Sequence, residues 1–427
     1  MNLFIFFSLF FLLFSIRVPV SFSMICASLV YMIITPGPLT PVYVIPMQIL
    51  SNMENQFTLI AIPLFIFMAN IMNTGRVTDI IFKFANVLVG HKKGGLALVN
   101  VVASLIFSGM TGSAIADASG LGVLEIAEMK KAGYSDGFSC AVTGASATIG
   151  PIFPPSMPMI FYSLISGASI GALFMGGVIP GILMAIMLMI YVTYISKKRN
   201  YPTSKKIFLR DGIIVFIKSF PALFTMVIIL GGIYSGVVTT VEAGAVGSLY
   251  ALIISFVFYK SLTKEGLIKC LIETVKMTAS ISLIICSAFA FSYILASEGI
   301  PKLFANFILN FTTNSFVLLA AINIIFLLLG MFLDVNTILV VFLPIVLPLI
   351  KMLGIDLVHF GVLIIVNIMI GMSTPPYGIL LFITSEIAKT PIHKIIKEIY
   401  PMVIMMIIEL ILITYIPQLV LFIPSHL

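Results

Sequence analysis

The sequence predicts an all-α polytopic membrane protein made of two structural repeats, expected to be inverted. Each repeat is expected to hold a re-entrant helical hairpin and a broken transmembrane helix. Three observations lead there. Of the 427 residues, 60% are hydrophobic and only 9% are charged, and the mean hydropathy is +1.21. Soluble domains stay nearer half apolar and a quarter charged. Apolar runs at 183–195, 220–232, 316–331 and 402–416 recur along the chain; with their flanks, several approach the ~20 residues that span a bilayer. A β-barrel would show short alternating segments instead. The third observation is a pair of glycine and proline motifs that recurs at constant spacing.

The first element is apolar from the start, MNLFIFFSLFFLLFSIRVPV. It lacks a basic leader region, and although Ser21-Phe22-Ser23 resembles a weak cleavage site, further apolar spans follow at once. A retained first helix is expected. Next, residues 94–131 hold two apolar arms around a polar, glycine-rich centre, SGMTGSAIADASG, with no Lys or Arg in that centre. Each arm reads as short for a full span, so a hairpin that enters the membrane and turns back is expected. A helix break at about 144–158, GASATIGPIFPPSMP, follows it. Proline removes a backbone donor and blocks a helical carbonyl, while glycine permits an open turn.

The same order returns 221 residues later. Gly109-Met110 aligns with Gly330-Met331, and Gly150 through Pro154-Pro155 aligns with Gly371 through Pro375-Pro376. At that offset Ser113 falls on Asp334. Phe84-Ala85-Asn86 matches Phe304-Ala305-Asn306 one residue out of step. A second hairpin at about 316–351 and a second break at about 370–378 are therefore expected. The repeats are placed at 1–196 and 213–427, joined by a basic linker, 197–212. That linker carries Lys197, Lys198, Arg199, Lys205, Lys206 and Arg210, which makes it cytoplasmic by the positive-inside rule.

These features exclude several functions. The net charge of +7 lies mostly in short loops, so it reports topology, and no nucleic-acid partner is expected. Cys26, Cys140, Cys270 and Cys286 show no paired spacing, the four histidines form no ligand cluster, and no GxxxxGK[ST] loop occurs. Without a nucleophile–base set the chain is not read as an enzyme; the lipid bilayer is its surroundings and its chemistry is binding and movement. Breaks at membrane depth survive only when buried in protein or lining a wet cavity. Freed carbonyls and hydroxyls there suit Na⁺, and a half-helix N-terminus suits an anion. Intramembrane carboxylates point to sites. Asp334, at a tip, is the stronger candidate; Asp117 serves a site, or caps or pairs within the hairpin. Glu409 is expected to pair or to face an assembly interface, and Glu242 to start a helix or to bind.

On these residues the chain is similar to the large membrane subunit of TRAP transporters of the DctM type. SGMTGSAIADASGLG, IGPIFPPSMPMIFYSLISGASIGALFMGGVIPG, VTTVEAGAVGSLYA and IGMSTPPYGILLF carry the resemblance in order along essentially the whole chain. It implies Na⁺-coupled secondary import of an organic acid, such as sialic acid or a C4-dicarboxylate, across the bacterial inner membrane by an elevator-type movement. It further implies a periplasmic substrate-binding protein, a small four-helix membrane subunit on a separate chain, and no cofactor beyond Na⁺ as coupling ion. Carried over residue by residue, Ser108, Gly109, Gly144, Ser146, Gly150 and Pro151 would contribute to one Na⁺ site. Gly330, Asn336, Gly371, Thr374 and Pro375 would form its partner, and Ser113, Ser156 and Asp334 would face the carboxylate substrate. The alternatives are a stand-alone Na⁺/carboxylate symporter with hairpins of the same kind and, further off, an ion channel.

Overall fold

The structure is a computed structural model and describes residues 2–35, 42–54, 56–73, 75–203, 209–310, 312 and 314–426. Lys205 and Lys206 of the basic linker lie outside the described residues. Among those described, helix is the regular secondary structure throughout. The chain opens with α1 (Asn2–Ser15), α2 (Val20–Ile34) and α3 (Val44–Glu54), followed by α4 (Ala61–Met72) and α5 (Gly75–Val89). The first hairpin is α6 (Gly95–Thr111), a short α7 (Ala114–Ser119) and α8 (Leu121–Lys131). The first broken helix is α9 (Asp136–Ser146) and α10 (Met157–Ser166), and α11 (Ile170–Lys198) leads out of it.

The second half begins with α12 (Leu209–Tyr234), α13 (Thr240–Ile253), α14 (Lys264–Ser297) and α15 (Ile300–Leu309). Its hairpin is α16 (Ser315–Phe332) and α17 (Val335–Met352), and its broken helix is α18 (Leu357–Met372) and α19 (Ile379–Ala388). Then α20 (Ile392–Tyr415) and a last turn, α21 (Gln418–Leu421), close the chain. The linker is shorter than the sequence suggests, because Lys197 and Lys198 end α11 and Arg210 to Gly212 already belong to α12.

Capping chemistry sets many of these boundaries. Ser169 accepts from the Ala172 N–H, Thr263 from Gly266, and Asp356 from Val358 and His359, each satisfying donors that a helix start leaves open. At α13 the expectation for Glu242 as a helix-starting acid is met. Thr239 Oγ1 accepts from the Glu242 N–H while Glu242 Oε2 accepts from the Thr239 N–H at 2.7 Å, a reciprocal capping box.

Side-chain contacts fix the direction of each half. At the basic end of α11, the base of the first hairpin abuts that helix, since a Cβ on Gly94 would meet Ser196. Lys130, ending the other arm, pairs with Asp136 at 3.3 Å and donates to the Ala388 carbonyl. Arg199 pairs with Glu398 at 2.9 Å. The first hairpin, the start of α9 and the end of α19 therefore share the basic end. At the opposite end Tyr162 donates to the Leu357 carbonyl at 2.7 Å, the His359 ring meets the Ile413 carbonyl, and Phe316 packs on Tyr415. There α10 finishes, α18 and α16 begin, and α20 ends. The two broken helices thus enter from opposite ends, and so do the hairpins: the halves are inverted. The arms correct one expectation. With 17 and 18 residues, α6, α16 and α17 are each roughly 25–27 Å long, more than half of a ~30 Å hydrocarbon core.

A candidate substrate and ion site where two hairpin tips meet two broken helices

The first tip turns at Gly112, whose φ of +59° is left-handed and therefore suits glycine. A Cβ here would lie 2.3 Å from the Pro155 carbonyl oxygen. The Gly112 carbonyl in turn accepts from the Met157 N–H at 3.5 Å, so the tip rests directly on the first break. Ser113 then starts the exit arm, its hydroxyl accepting from the Ala116 N–H. The second tip turns at Leu333 and Asp334. Asp334 Oδ2 accepts from the N–H groups of Asn336 and Thr337 at 3.0 and 3.2 Å, and Oδ1 accepts from the Thr337 hydroxyl. Ser113 and Asp334, equivalent at the 221-residue offset, therefore do the same local work as N-caps.

Both tips and both broken helices line one cavity of about 80 Å³, through Ser113, Pro151, Asp334, Asn336, Met369 and Met372. Of the three residues assigned to substrate, two line it. Ser156 does not: it is fully buried, its hydroxyl donating to the Pro151 carbonyl and accepting from the Met159 N–H. It holds the break in shape and caps α10.

The residues carried over as ion ligands divide in the same way. In the second half they converge. A Cβ on Gly371 would lie 2.7 Å from Gly330 Cα, so α16 and α18 touch backbone to backbone beside the tip. Asn336 Oδ1 is buried without a hydrogen-bond partner among the described residues. Thr374 begins the break, its hydroxyl on the Ile370 carbonyl at 2.6 Å, and Pro375 follows. In the first half they are spread out. Gly150 packs beneath Ser113, but Gly109 faces Met226 of α12 and Gly144 faces α19. The Ser108 hydroxyl bonds the Leu105 carbonyl.

Ser146 belongs to a buried side-chain chain between α6 and α9. Its hydroxyl donates to Asn100 Oδ1 at 2.6 Å, Ser104 lies 3.2 Å away, and Asn100 Nδ2 donates to Thr143. Its counterpart at the same offset, Asn367, bonds Asn323 on α16 in the same way. Ser146→Ala leaves the buried Asn100 carbonyl without a donor, a loss of roughly 1–3 kcal/mol. The thermal midpoint of the purified protein falls whether or not Na⁺ is present. A midpoint unchanged in Na⁺-free buffer would mean the hydroxyl has no such structural part.

The structure also exposes acids that the sequence reading missed or misjudged. Asp117 does not cap or pair: both its oxygens are buried without a hydrogen-bond partner among the described residues, as are those of Glu125 and Glu409. Glu409 thus neither pairs nor faces an outer interface, being fully buried. Glu125, in LGVLEIAEMKK, sits near Lys130 and Lys131 in sequence and looks like part of a solvated arm end; only packing shows it turned inward.

Inverted hairpins, paired helix breaks and a shared cavity at their meeting point define a membrane permease of the transporter class. A family model described as the DctM component of tripartite ATP-independent periplasmic transporters matches residues 7–419. The sialic acid TRAP transporter large permease protein SiaM of Vibrio cholerae is 43% identical over 407 residues, covering 95% of each chain. The C4-dicarboxylate TRAP transporter large permease protein DctM of Pseudomonas aeruginosa is 34% identical, covering 88% of each. The crystal structure of the Alcanivorax borkumensis YdaH transporter shares the fold, with a TM-score of 0.65 at 12% identity over 92% of this chain and 96% of that one. The chain belongs to the DctM family of TRAP transporter large permeases. It is a multi-pass protein of the inner membrane, and its relatives are permeases, not enzymes.

Proposed function

We propose that this chain imports an organic acid, with sialic acid the first candidate, by Na⁺-coupled secondary transport of the elevator type. The observation that carries the reading is the convergence of Ser113, Pro151, Asp334 and Asn336, from opposite ends of the molecule, on one small cavity. Half-helix ends and polar tips of this kind supply donors to a carboxylate and oxygens to Na⁺. Sialic acid comes first because the relative at 43% identity is named for it. At about 80 Å³ the cavity falls well below the 300–1,000 Å³ of ordinary ligand pockets. A sugar-sized acid enters only if the tips separate, which suits a carrier whose parts move. A periplasmic binding protein hands over the substrate, and a separate small four-helix subunit completes the membrane unit.

The test is uptake into proteoliposomes holding this chain and the small subunit, with the binding protein and a Na⁺ gradient. Uptake requires all of them; equal uptake without the binding protein or without the gradient would end this reading. In the same vesicles Thr374→Ala frees the Ile370 carbonyl beside the second break. It lowers apparent Na⁺ affinity by about tenfold, equivalent to about 1.4 kcal/mol. Unchanged Na⁺ dependence would remove Thr374 from the site.

A further inference from the structure

A second cavity, of about 460 Å³, lies apart from the tips between α3 and α14 on one side and α10 and α17 on the other. Its polar side chains are few: Asn52, Gln56, Ser292 and Lys351. Gln56 Nε2 donates to the Leu164 carbonyl in the last turn of α10, and Lys351 lies in the last turn of α17. The rest of the lining is apolar, with Ile285, Ala288, Leu295 and Val340 among it. Lys351 is exposed, makes no ion pair among the described residues, and is the lone ionisable residue of the lining.

The dimensions match one membrane leaflet. Along α17, Val340 lies eleven residues from Lys351, about 16 Å of helix, and half of a ~30 Å hydrocarbon core is about 15 Å. Lys351, in the last turn of α17, comes six residues before Leu357, whose carbonyl accepts from Tyr162 at the end of the molecule away from the basic linker. Along α17 the cleft therefore covers about the depth of one leaflet, with its one cation at the helix end and apolar side chains along its length. A hydroxylated acid seated here would leave its polar groups unpaired against Ile285, Ala288 and Val340, which is costly. An acyl chain would not, and a lysine at the boundary attracts an anionic headgroup.

We propose that this cleft holds one acyl chain of an anionic phospholipid, with its headgroup on Lys351. The occupant is drawn from the leaflet at that end of the molecule. The experiment is native mass spectrometry of the full chain, purified in detergent, delipidated, and incubated with equal phosphatidylglycerol and phosphatidylcholine. Wild type retains one lipid, with phosphatidylglycerol preferred about fivefold, as expected for one lysine contact. Lys351→Gln loses the preference, and Ala296→Phe, at an exposed position of the lining, loses retention of both lipids. Neither residue lines the cavity at the tips, so thermal midpoints of both variants stay at the wild-type value, and Lys351→Gln alone decides if Ala296→Phe proves unstable. Absence of retained lipid in wild type, an undiminished preference in Lys351→Gln, or displacement of the lipid by sialic acid would each overturn the proposal.

Discussion

Gly112→Ala abolishes uptake while the neighbouring helices still form. Two costs fall on one atom. The left-handed backbone at φ +59° is unfavourable for a residue with a Cβ by roughly 1–2 kcal/mol. The new methyl would also lie 2.3 Å from the Pro155 carbonyl oxygen, a backbone atom that cannot rotate away. Relief requires lifting the tip from the first break, and with it Ser113 from the cavity. A control isolates the second cost. Gly133 has φ +89°, but nothing lies within 4 Å of its Cβ position, so Gly133→Ala carries the strain alone. It lowers the thermal midpoint modestly and keeps uptake. The measurement is initial uptake rate in proteoliposomes beside thermal unfolding of both variants. Wild-type uptake by Gly112→Ala would show that the tip need not rest on the break.

Asp334 gives the second large effect, and two substitutions separate its parts. Asp334→Ala removes the acceptor for the Asn336 and Thr337 N–H groups and for the Thr337 hydroxyl. Loss of an N-cap costs about 0.5–2 kcal/mol, so the thermal midpoint falls, and uptake drops more than tenfold as the tip frays. Asp334→Asn keeps a side-chain oxygen, and Asn caps about as well as Asp, so stability stays near wild type. Its uptake then reports the carboxylate itself. A charged acceptor makes hydrogen bonds about twice as strong as a neutral one, and the half-saturating substrate concentration rises about tenfold. If Asp334→Asn transports like wild type while Asp334→Ala fails, Asp334 is a cap and not a substrate ligand.

The contrast between these two residues shows what kind of information the sequence carries. The offset of 221 transfers helix boundaries almost residue for residue. Ala114 and Val335 start the exit arms, Lys131 and Met352 end them, and Asp136 and Leu357 start the broken helices. Those boundaries follow from local chemistry: glycine lacks a Cβ, proline lacks an N–H, and small polar residues cap helices. Both breaks were legible for that reason. The interruption at Gly120, which divides the first exit arm into α7 and α8, has no counterpart in α17 and breaks the symmetry.

Side-chain roles were less legible. Ser146 and Ser156 have the right residue type at the right breaks, yet one joins Asn100 and the other holds Pro151. Gly109 and Gly330 are equivalent by offset, but the first meets Met226 of α12 and the second meets Gly371 of α18. Composition and periodicity established a helical membrane protein, and the repeated motifs established two halves with hairpins and breaks, because each signal resides within a few neighbouring residues. Which oxygens reach the common cavity, and which acids are turned into the interior, was decided by the tertiary structure. The physical reason is that a buried oxygen takes its partner from whatever packs against it once the chain has folded: Asn100 of another helix for Ser146, the Pro151 carbonyl of its own break for Ser156.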